Sequence, residues 1–250
     1  MSEHIIVERR GAVQIIRMNR ADKKNAITRA MYGAMSEALG RADADPDLRV
    51  SVFLGVPGAF SAGNDLSDFM MVALGSEPGT EVWDFLNALA RSTKPILSGV
   101  DGIAVGIGTT LNLHCDITLA TPRSVFSTPF VDLGLVPEAA SSLLAPRIMG
   151  PQRAFALLAM GEAFSAEQAL AAGMIYGIVS SDLLEQEILA WAAKLAAKPP
   201  AALRIARDLM RTPRGEVVDR IHDEAEHFRA RLRSDEAKTA LGAFMTRKKG

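Results

Sequence analysis

Residues 60–66 read FSAGNDL, and a second glycine-marked stretch, GIAVGIG, occupies residues 102–108. Each stretch brings the chain from an apolar strand to the start of a helix, and Gly63 frees the first turn for unusual backbone dihedral angles. The start of a helix leaves backbone N–H groups without acceptors. If the two helix starts faced each other, two N–H groups could bind one developing negative oxygen. On glycine spacing alone, two ordinary strand-to-helix turns remain the favoured interpretation.

The chain around these turns alternates between strands and helices. Alternation of apolar and polar residues over 4–8 and 12–18 predicts a β-hairpin, and Thr28 is placed to cap the helix that follows. Short apolar runs at 50–54 and 96–100 predict buried strands. Strands that alternate with helices are typical of α/β proteins, so we predict that fold class.

The last part of the chain is predicted to be helical. From Glu138 onward the pattern is mainly helical, and a Lys-Pro-Pro step at 198–200 separates a C-terminal helical region. In that region apolar residues recur every three or four positions and predict a single apolar helix face. This C-terminal stripe consists of Val217, Ile221, Ala225, Phe228 and Leu232. It could pack on the chain's own core or against a neighbouring subunit, and the sequence leaves both possibilities open.

Composition and charge exclude several classes of protein. Of the 250 residues, 48% are hydrophobic and 23% are charged, which is ordinary globular composition and argues against disorder. A formal net charge of −1 gives no electrostatic basis for binding nucleic acid or an acidic membrane. Cys115 is the sole cysteine, so no disulfide can form within the chain, and a reducing compartment is expected. No apolar run is long enough to span a membrane and no signal-peptide pattern is present, so we expect a soluble, cytoplasmic protein.

Common catalytic and metal-binding motifs are absent from the sequence. There is no G-x-S-x-G nucleophile turn and no phosphate-binding P-loop. Gly106 and Gly108 begin a dinucleotide-type pattern, but Leu111 occupies the place of its third glycine. The four histidines do not have the spacing of a zinc pair, so we predict no metal site. His114 lies in an apolar stretch and is interpreted as a packed, hydrogen-bonded histidine.

Four blocks of the sequence resemble signatures of the crotonase (enoyl-CoA hydratase/isomerase) superfamily. They are FSAGNDL (60–66); KPI (94–96) with VGIG (105–108) and CD (115–116); STPF (127–130) with LGLVPE (133–138); and GEAFSAEQA (161–169) with AGMI (172–175). The similarity covers roughly residues 5–200 in the family's order. The four blocks together are more specific than any one of them.

The resemblance implies a fold and a ligand. Members of this superfamily fold as a spiral of β-β-α units followed by helices. We therefore expect an α/β spiral core over residues 1–197 and a helical region, serving trimerisation or as a lid, over 198–250. Members bind acyl-CoA thioesters and assemble as trimers or dimers of trimers. Because coenzyme A is part of the substrate, no separate cofactor is expected.

The resemblance also assigns binding residues. In the family two backbone N–H groups hold the thioester oxygen, and here they would belong to Asn64 and Ile107, whose side chains are expected to matter little. The residues that match the family's substrate-binding segments are Lys24, Ala26, Ala62, Gly63, Asn64, Asp65 and Leu66. For Lys24 a solvated surface position is a close alternative, and Asp65 is also suited to cap the following helix.

The acid–base residues distinguish the reactions of the family. Hydratases use two glutamates, and Thr110 and Phe130 stand at those positions here. Neither side chain can shuttle a proton at neutral pH. Glu138 resembles the single glutamate of peroxisomal-type Δ3,Δ2-enoyl-CoA isomerases, and we expect it at a helix start. Ala139 departs from the glycine expected next, which bears on how Glu138 is positioned.

One carboxylate is enough for this isomerisation, because the base removes a proton from C2 and returns one to C4 on the same face. Two alternatives stay open: another crotonase reaction such as hydration, with a base not identified, and a non-catalytic acyl-CoA-binding scaffold in which Glu138 only caps a helix.

Residues 72–80, with Met70, Met71 and Trp83 nearby, are predicted to border the acyl pocket and to become ordered when ligand binds.

Overall fold

A computed structural model of the protein describes residues 2–73 and 79–247. Ten strands are found among these residues. They are β1 (Ile5–Arg10), β2 (Val13–Met18), β3 (Val50–Leu54), β4 (Ala59–Ser61), β5 (Ile96–Val100), β6 (Ile103–Val105), β7 (Ile117–Ala120), β8 (Val125–Ser127), β9 (Phe164–Ser165) and β10 (Gly177–Ile178).

The strands form two sheets through which the chain winds as a spiral. The larger sheet has the order β1-β2-β3-β5-β7-β10, and the smaller has the order β4-β6-β8-β9. β1 and β2 form the predicted antiparallel hairpin, while β2, β3, β5, β7 and β10 run parallel. Each turn of the spiral adds one strand to each sheet: β3, β5 and β7 enter the larger sheet, and β4, β6 and β8 follow them into the smaller.

Eleven α-helices connect and cover the sheets in the described part of the chain. They are α1 (Arg29–Ala44), α2 (Leu66–Ala73), α3 (Glu81–Arg91), α4 (Ile107–Thr110), α5 (Ser141–Met149), α6 (Pro151–Leu158), α7 (Ala166–Ala171), α8 (Leu184–Ala196), α9 (Pro200–Met210), α10 (Arg214–Leu232) and α11 (Asp235–Arg247). Thr28 caps α1 as predicted, because its hydroxyl oxygen accepts a hydrogen bond from the N–H of Met31. None of the described helices is both long and apolar enough to cross a membrane.

The core lies on both faces of the larger sheet. β3 is buried at every position, as expected of a parallel strand covered by helices on both sides. Side chains of β3 alternate between two apolar clusters: Val52 packs with Ile188 of α8, and Phe53 packs with Phe85 of α3 on the opposite face.

The C-terminal stripe packs on the chain's own core. Its five residues are buried, and four of them (Val217, Ile221, Phe228 and Leu232) belong to the same cluster as Phe85. Of the two possibilities that the sequence left open, packing on the chain's own core is the one found, so the stripe gives no support for an oligomer. Helix α9 instead exposes large apolar side chains, with Leu209 82% and Met210 81% exposed. The predicted domain boundary at residue 198 stays a prediction.

Candidate active site

The two glycine turns of the sequence lie side by side in the structure. β4 and β6, which lead into them, are parallel neighbours. Gly63 has a φ of +85°, and a Cβ atom there would lie 2.9 Å from the carbonyl oxygen of Val105. A Cβ atom on Gly108 would lie 2.8 Å from the carbonyl oxygen of Ser61. Glycine is required at both positions because the two backbones approach each other so closely.

This contact leaves two backbone donors unused. The N–H of Asn64 and the N–H of Ile107, which is the first residue of α4, donate to no acceptor among the described residues. The first N–H groups of a helix have no acceptor within the helix. Two unpaired donors beside two touching turns are suited to binding a negative oxygen.

The loop at 24–27 is held against the first glycine turn. The N–H of Ala62 donates to the carbonyl oxygen of Lys24 at 2.8 Å, and the N–H of Ile27 donates to that of Gly63 at 2.8 Å. Asn25 is fully buried, and its amide donates to the carbonyl oxygens of residues 59 and 60. The structure thus brings Lys24 and Ala26 next to the 62–66 segment, while the side chain of Lys24 is exposed.

Asp65 has the capping contacts that its position predicts. Its carboxylate accepts hydrogen bonds from the N–H of Ser67 at 2.9 Å and from Arg20 at 2.6 Å. Burial alone would raise the pKa of Asp65, but the hydrogen bonds from Arg20 and Ser67 outweigh it, and the pKa is lowered. Asp65 therefore stays ionised and fixes the start of α2 at Leu66.

Glu138 is buried, with only 3% of its surface exposed. The hydroxyl of Thr110 donates to its Oε1 at 2.6 Å. Loss of hydration raises the pKa of Glu138 to about 8. The Thr110 hydrogen bond opposes this shift, and the charge of Glu224 adds to it. A carboxyl group with a pKa near neutrality can both accept and return a proton.

Glu138 does not begin a helix, which corrects the sequence-based expectation. Helix α5 begins at Ser141, and the two residues between are left-handed, with φ of 60° at Ala139 and 53° at Ala140. Non-glycine residues adopt this conformation at a cost of about 1–2 kcal/mol each. The left-handed φ is the physical reason why glycine is expected at Ala139, and it shows that Glu138 projects from a strained turn.

His114 contacts the backbone of this turn. It is buried, and its Nε2 lies 2.7 Å from the carbonyl oxygen of Ala139. Burial lowers the pKa of His114 to about 4, so the ring is neutral at pH 7 and its Nε2–H donates to that oxygen. The interpretation of His114 as a packed, hydrogen-bonded residue is confirmed.

A cavity of about 70 Å³ connects the first glycine turn with Glu138. Its lining is Ile27, Arg29, Tyr32, Asn64, Asp68, Gly79, Val82, Trp83, Glu138, Phe228, Arg229 and Leu232. Gly79 and Trp83, from the region predicted to border the acyl pocket, line this cavity, but its ligand stays a prediction. Residues 74–78 of the predicted mobile loop lie outside the described residues.

Tyr32 is a cavity residue that the sequence did not reveal. Its hydroxyl donates to the side-chain oxygen of Asn64 at 2.7 Å, so that side chain is held in place and is not free to vary. Burial, followed by the charges of Glu138 and Asp68, raises the pKa of Tyr32 well above its usual value. At helical spacing within α1, Tyr32 looked like any other core residue, and no local signal marked it.

The described residues contain no group of three His, Cys, Asp or Glu side chains placed to hold a metal ion. The candidate site combines one buried carboxyl group, the Tyr32 hydroxyl and two backbone N–H groups. Such a set can exchange a proton with a bound molecule and stabilise negative charge on its oxygen.

Comparison with known proteins finds a matching family model and relatives whose names state reactions of CoA thioesters. A family model described as enoyl-CoA hydratase/isomerase matches residues 8–250. The enoyl-CoA delta isomerase 2 of Rattus norvegicus is 35% identical over 99% of this chain, which spans 64% of that protein's length. The 1,2-epoxyphenylacetyl-CoA isomerase of Escherichia coli is 30% identical over 99% of this chain and 97% of the relative. The solved structure of Pseudomonas aeruginosa OdaA has a TM-score of 0.93 at 41% identity, covering 98% of this chain and 99% of OdaA.

Proposed function

The chain belongs to the enoyl-CoA hydratase/isomerase family, and we propose that it is a Δ3,Δ2-enoyl-CoA isomerase in which Glu138 is the single acid–base residue. Its fold, a spiral of β-β-α units with a C-terminal helical region, is that of the family's crotonase-like members. The reaction, the substrate and the roles of individual residues are the parts that we propose.

The observation that carries the proposal is the chemical environment of Glu138. Among the described cavity residues it is the one buried carboxyl group, since Asp68 is partly exposed and accepts a hydrogen bond from the N–H of Arg29. Thr110 stands where the family's hydratases have a glutamate, and its hydroxyl donates to Glu138. The second hydratase position is the buried Phe130. Adding water with two carboxylates is therefore not supported, whereas a single base is.

In the proposed mechanism the ionised Glu138 removes a proton from C2 of a 3-enoyl-CoA. The electrons move into the thioester, and the negative oxygen of the resulting dienolate is held by the N–H groups of Asn64 and Ile107. Glu138 then returns the proton to C4, which leaves the double bond between C2 and C3. One positioned base supplies about 10²–10⁴-fold in rate, and one oxyanion donor about 2.7–4 kcal/mol.

Binding of coenzyme A is assigned to the first glycine turn and the loop packed on it. Lys24, Ala26 and the segment 62–66 would line this site, since the loop and the segment are joined by backbone hydrogen bonds. Because coenzyme A arrives with the substrate, the proposal needs no further cofactor.

We also propose an assembly of three or six chains. The support is the exposed apolar face of α9, where Ile205 is 51% and Leu209 82% exposed, because large exposed apolar patches often mark interfaces. Light scattering that gave a mass near 26.8 kDa at micromolar concentration would contradict this assembly.

A substrate screen tests the proposed function. The protein is incubated with 3-enoyl-CoA and 2-enoyl-CoA thioesters of several chain lengths, and products are identified by absorbance and mass spectrometry. We expect 3-enoyl-CoA to become 2-enoyl-CoA without change of mass. Addition of water to a 2-enoyl-CoA would favour hydration, and absence of turnover on every thioester would favour a binding scaffold. The Escherichia coli relative, whose name states a different acyl-CoA isomerisation, adds an epoxyphenylacetyl-CoA to the screen.

A further inference from the structure

The turn that carries Glu138 depends on a residue far along the chain. Ala139 and Ala140 both have the left-handed conformation that alanine adopts only when surrounding contacts enforce it. Some group must therefore hold this turn in place, and the main candidate lies on a distant helix.

Glu224, in the middle of α10, makes the contacts that the turn needs. Its Oε2 accepts a hydrogen bond from the N–H of Ala140 at 2.6 Å. Its Oε1 accepts one from the N–H of Ser142 at 3.0 Å and another from the hydroxyl of Ser142 at 2.5 Å. Glu224 is 6% exposed, so these donors replace the water that it loses on burial. The same contacts cap the first turn of α5.

The charged neighbours of this arrangement are few. Arg220 lies one helical turn before Glu224 on α10, and its guanidinium donates to the hydroxyl of Ser142 at 3.1 Å. On the Glu138 side, Tyr32 and Thr110 are neutral, and the charge of Glu224 raises the pKa of Glu138. The pKa of Glu224 is itself raised by burial, which the hydrogen bonds from Ser142 and Ala140 and the charge of Arg220 partly offset.

We propose that Glu224 is a positioning residue for Glu138: by holding Ala140 and Ser142 through its carboxylate, it sets the turn from which Glu138 reaches the cavity. Glu224 is absent from the residues that line the cavity, so it acts through the backbone of the turn and not on the substrate. The inference rests on the proposed role of Glu138 as the base.

The first test is Glu224→Gln, with Glu226→Gln as the matched control. The amide that replaces the carboxylate can accept at only one of the two positions where Glu224 accepts, so the turn loses at least one hydrogen bond. We expect kcat on a 3-enoyl-CoA to fall roughly 10²-fold, as for a reacting group displaced by about 1 Å, with KM within a few-fold. Glu226, two residues further along α10, is exposed and should be replaceable without effect.

A rescue experiment separates positioning from general stability. Glycine adopts the left-handed conformation freely, so Ala140→Gly in the Glu224→Gln background should restore kcat at least several-fold. If Glu224→Gln does not fold, Ser142→Ala removes one of the three donors and should give a smaller fall in kcat in the same direction. A normal kcat in Glu224→Gln, or a fall in kcat that Ala140→Gly does not rescue, would overturn the proposal.

A measurement that needs no turnover distinguishes this proposal from the proposed function. The carboxyl ¹³C resonance of Glu138, assigned by its loss in Glu138→Gln, is titrated in the parent and in Glu224→Gln. We expect its midpoint to move to lower pH when the neighbouring charge is removed. A midpoint that does not move would show that Glu224 does not act on the Glu138 turn and would overturn the proposal, even if the parent isomerises 3-enoyl-CoA. If the midpoint moves in a protein that has no isomerase activity, the contact of Glu224 with the Glu138 turn stands and only the proposed reaction is overturned.

Discussion

The two halves of the candidate site are held in place by different means. Around Gly63 and Gly108 the backbone alone defines the geometry, because two turns touch where no Cβ atom would fit. Around Glu138 the backbone is strained, and side chains from distant elements, His114 and Glu224, hold it. The first half therefore depends on glycine at both turns, with the Asn64 side chain held by Tyr32, and the second half depends on long-range hydrogen bonds.

The largest expected effect lies in the second half. Glu138→Gln keeps the size of the side chain and its hydrogen bond from Thr110 but removes the base. We expect kcat on a 3-enoyl-CoA to fall by roughly 10²–10⁴-fold while acyl-CoA affinity stays within a few-fold. Steady-state kinetics and equilibrium binding measure the two quantities.

Asp132→Asn is the control for this variant, since Asp132 lies in the same block of sequence but is exposed. It should leave kcat unchanged. Near-normal isomerisation by Glu138→Gln would place the base elsewhere.

In the first half, Gly63→Ala should lower kcat by about 10²–10³-fold, the size of effect seen when an oxyanion donor is lost. The added Cβ atom would press on Val105, which moves the N–H of Asn64 away from that of Ile107. Gly11→Ala introduces the same left-handed strain in the β1–β2 turn, where no atom lies within 4 Å of the new Cβ. If both variants lowered kcat equally, strain and not the touching turns would be the cause.

The rate should also depend on pH through Glu138. Because the pKa of Glu138 is about 8 and the ionised form is the base, kcat/KM should fall tenfold for each pH unit well below that value. Asp65, whose pKa is lowered, stays ionised over this range and therefore adds no second pH dependence to kcat/KM. A profile flat between pH 6 and pH 9 would contradict the assignment.

The burial of Glu138 should cost stability at high pH. The pKa of Glu138 is higher in the folded state than in the unfolded state, so the contribution of Glu138 to stability is fully present below about pH 4.5 and is lost as pH rises through about 8. Glu138→Gln does not lose stability in this way. The loss in the parent is at most about 1.4 kcal/mol of unfolding free energy for each unit by which the pKa is raised. We expect the variant to melt above the parent at pH 8 and near it at pH 5, as measured by calorimetry. Equal differences in melting temperature at the two pH values would contradict this account.

The smallest effect concerns the strained turn itself. Ala139→Gly should raise the free energy of unfolding by up to about 1 kcal/mol, because glycine adopts a φ of 60° without strain. Since His114 and Glu224 already hold the turn, kcat should change by no more than a few-fold. A large loss of kcat would mean that the alanine side chain itself positions Glu138.

The difference between the two halves also explains which features the sequence could predict. The hairpin, the Thr28 cap and the glycine turns were predicted correctly, because turns, caps and alternation are local signals. The start of α5 and the role of Tyr32 were not, and Glu224 was missed altogether. Glu224 is 84 residues away from its partner Ala140 in the chain, and no local pattern records a contact over such a separation. A helix does follow Glu138, as the pattern predicted, but it begins only at Ser141. The residues before it are held in a left-handed turn by hydrogen bonds from His114 and to Glu224.

The most direct test of the central claim, that one carboxyl group moves a proton from C2 to C4, follows the proton itself. A 3-enoyl-CoA carrying deuterium at C2 is converted in ordinary water in a single turnover, and mass spectrometry locates the label in the product. The account predicts that part of the deuterium appears at C4, because Glu138 is buried and returns the atom that it removed before water exchanges it. A product with no deuterium at C4, or a hydrated product, would contradict it.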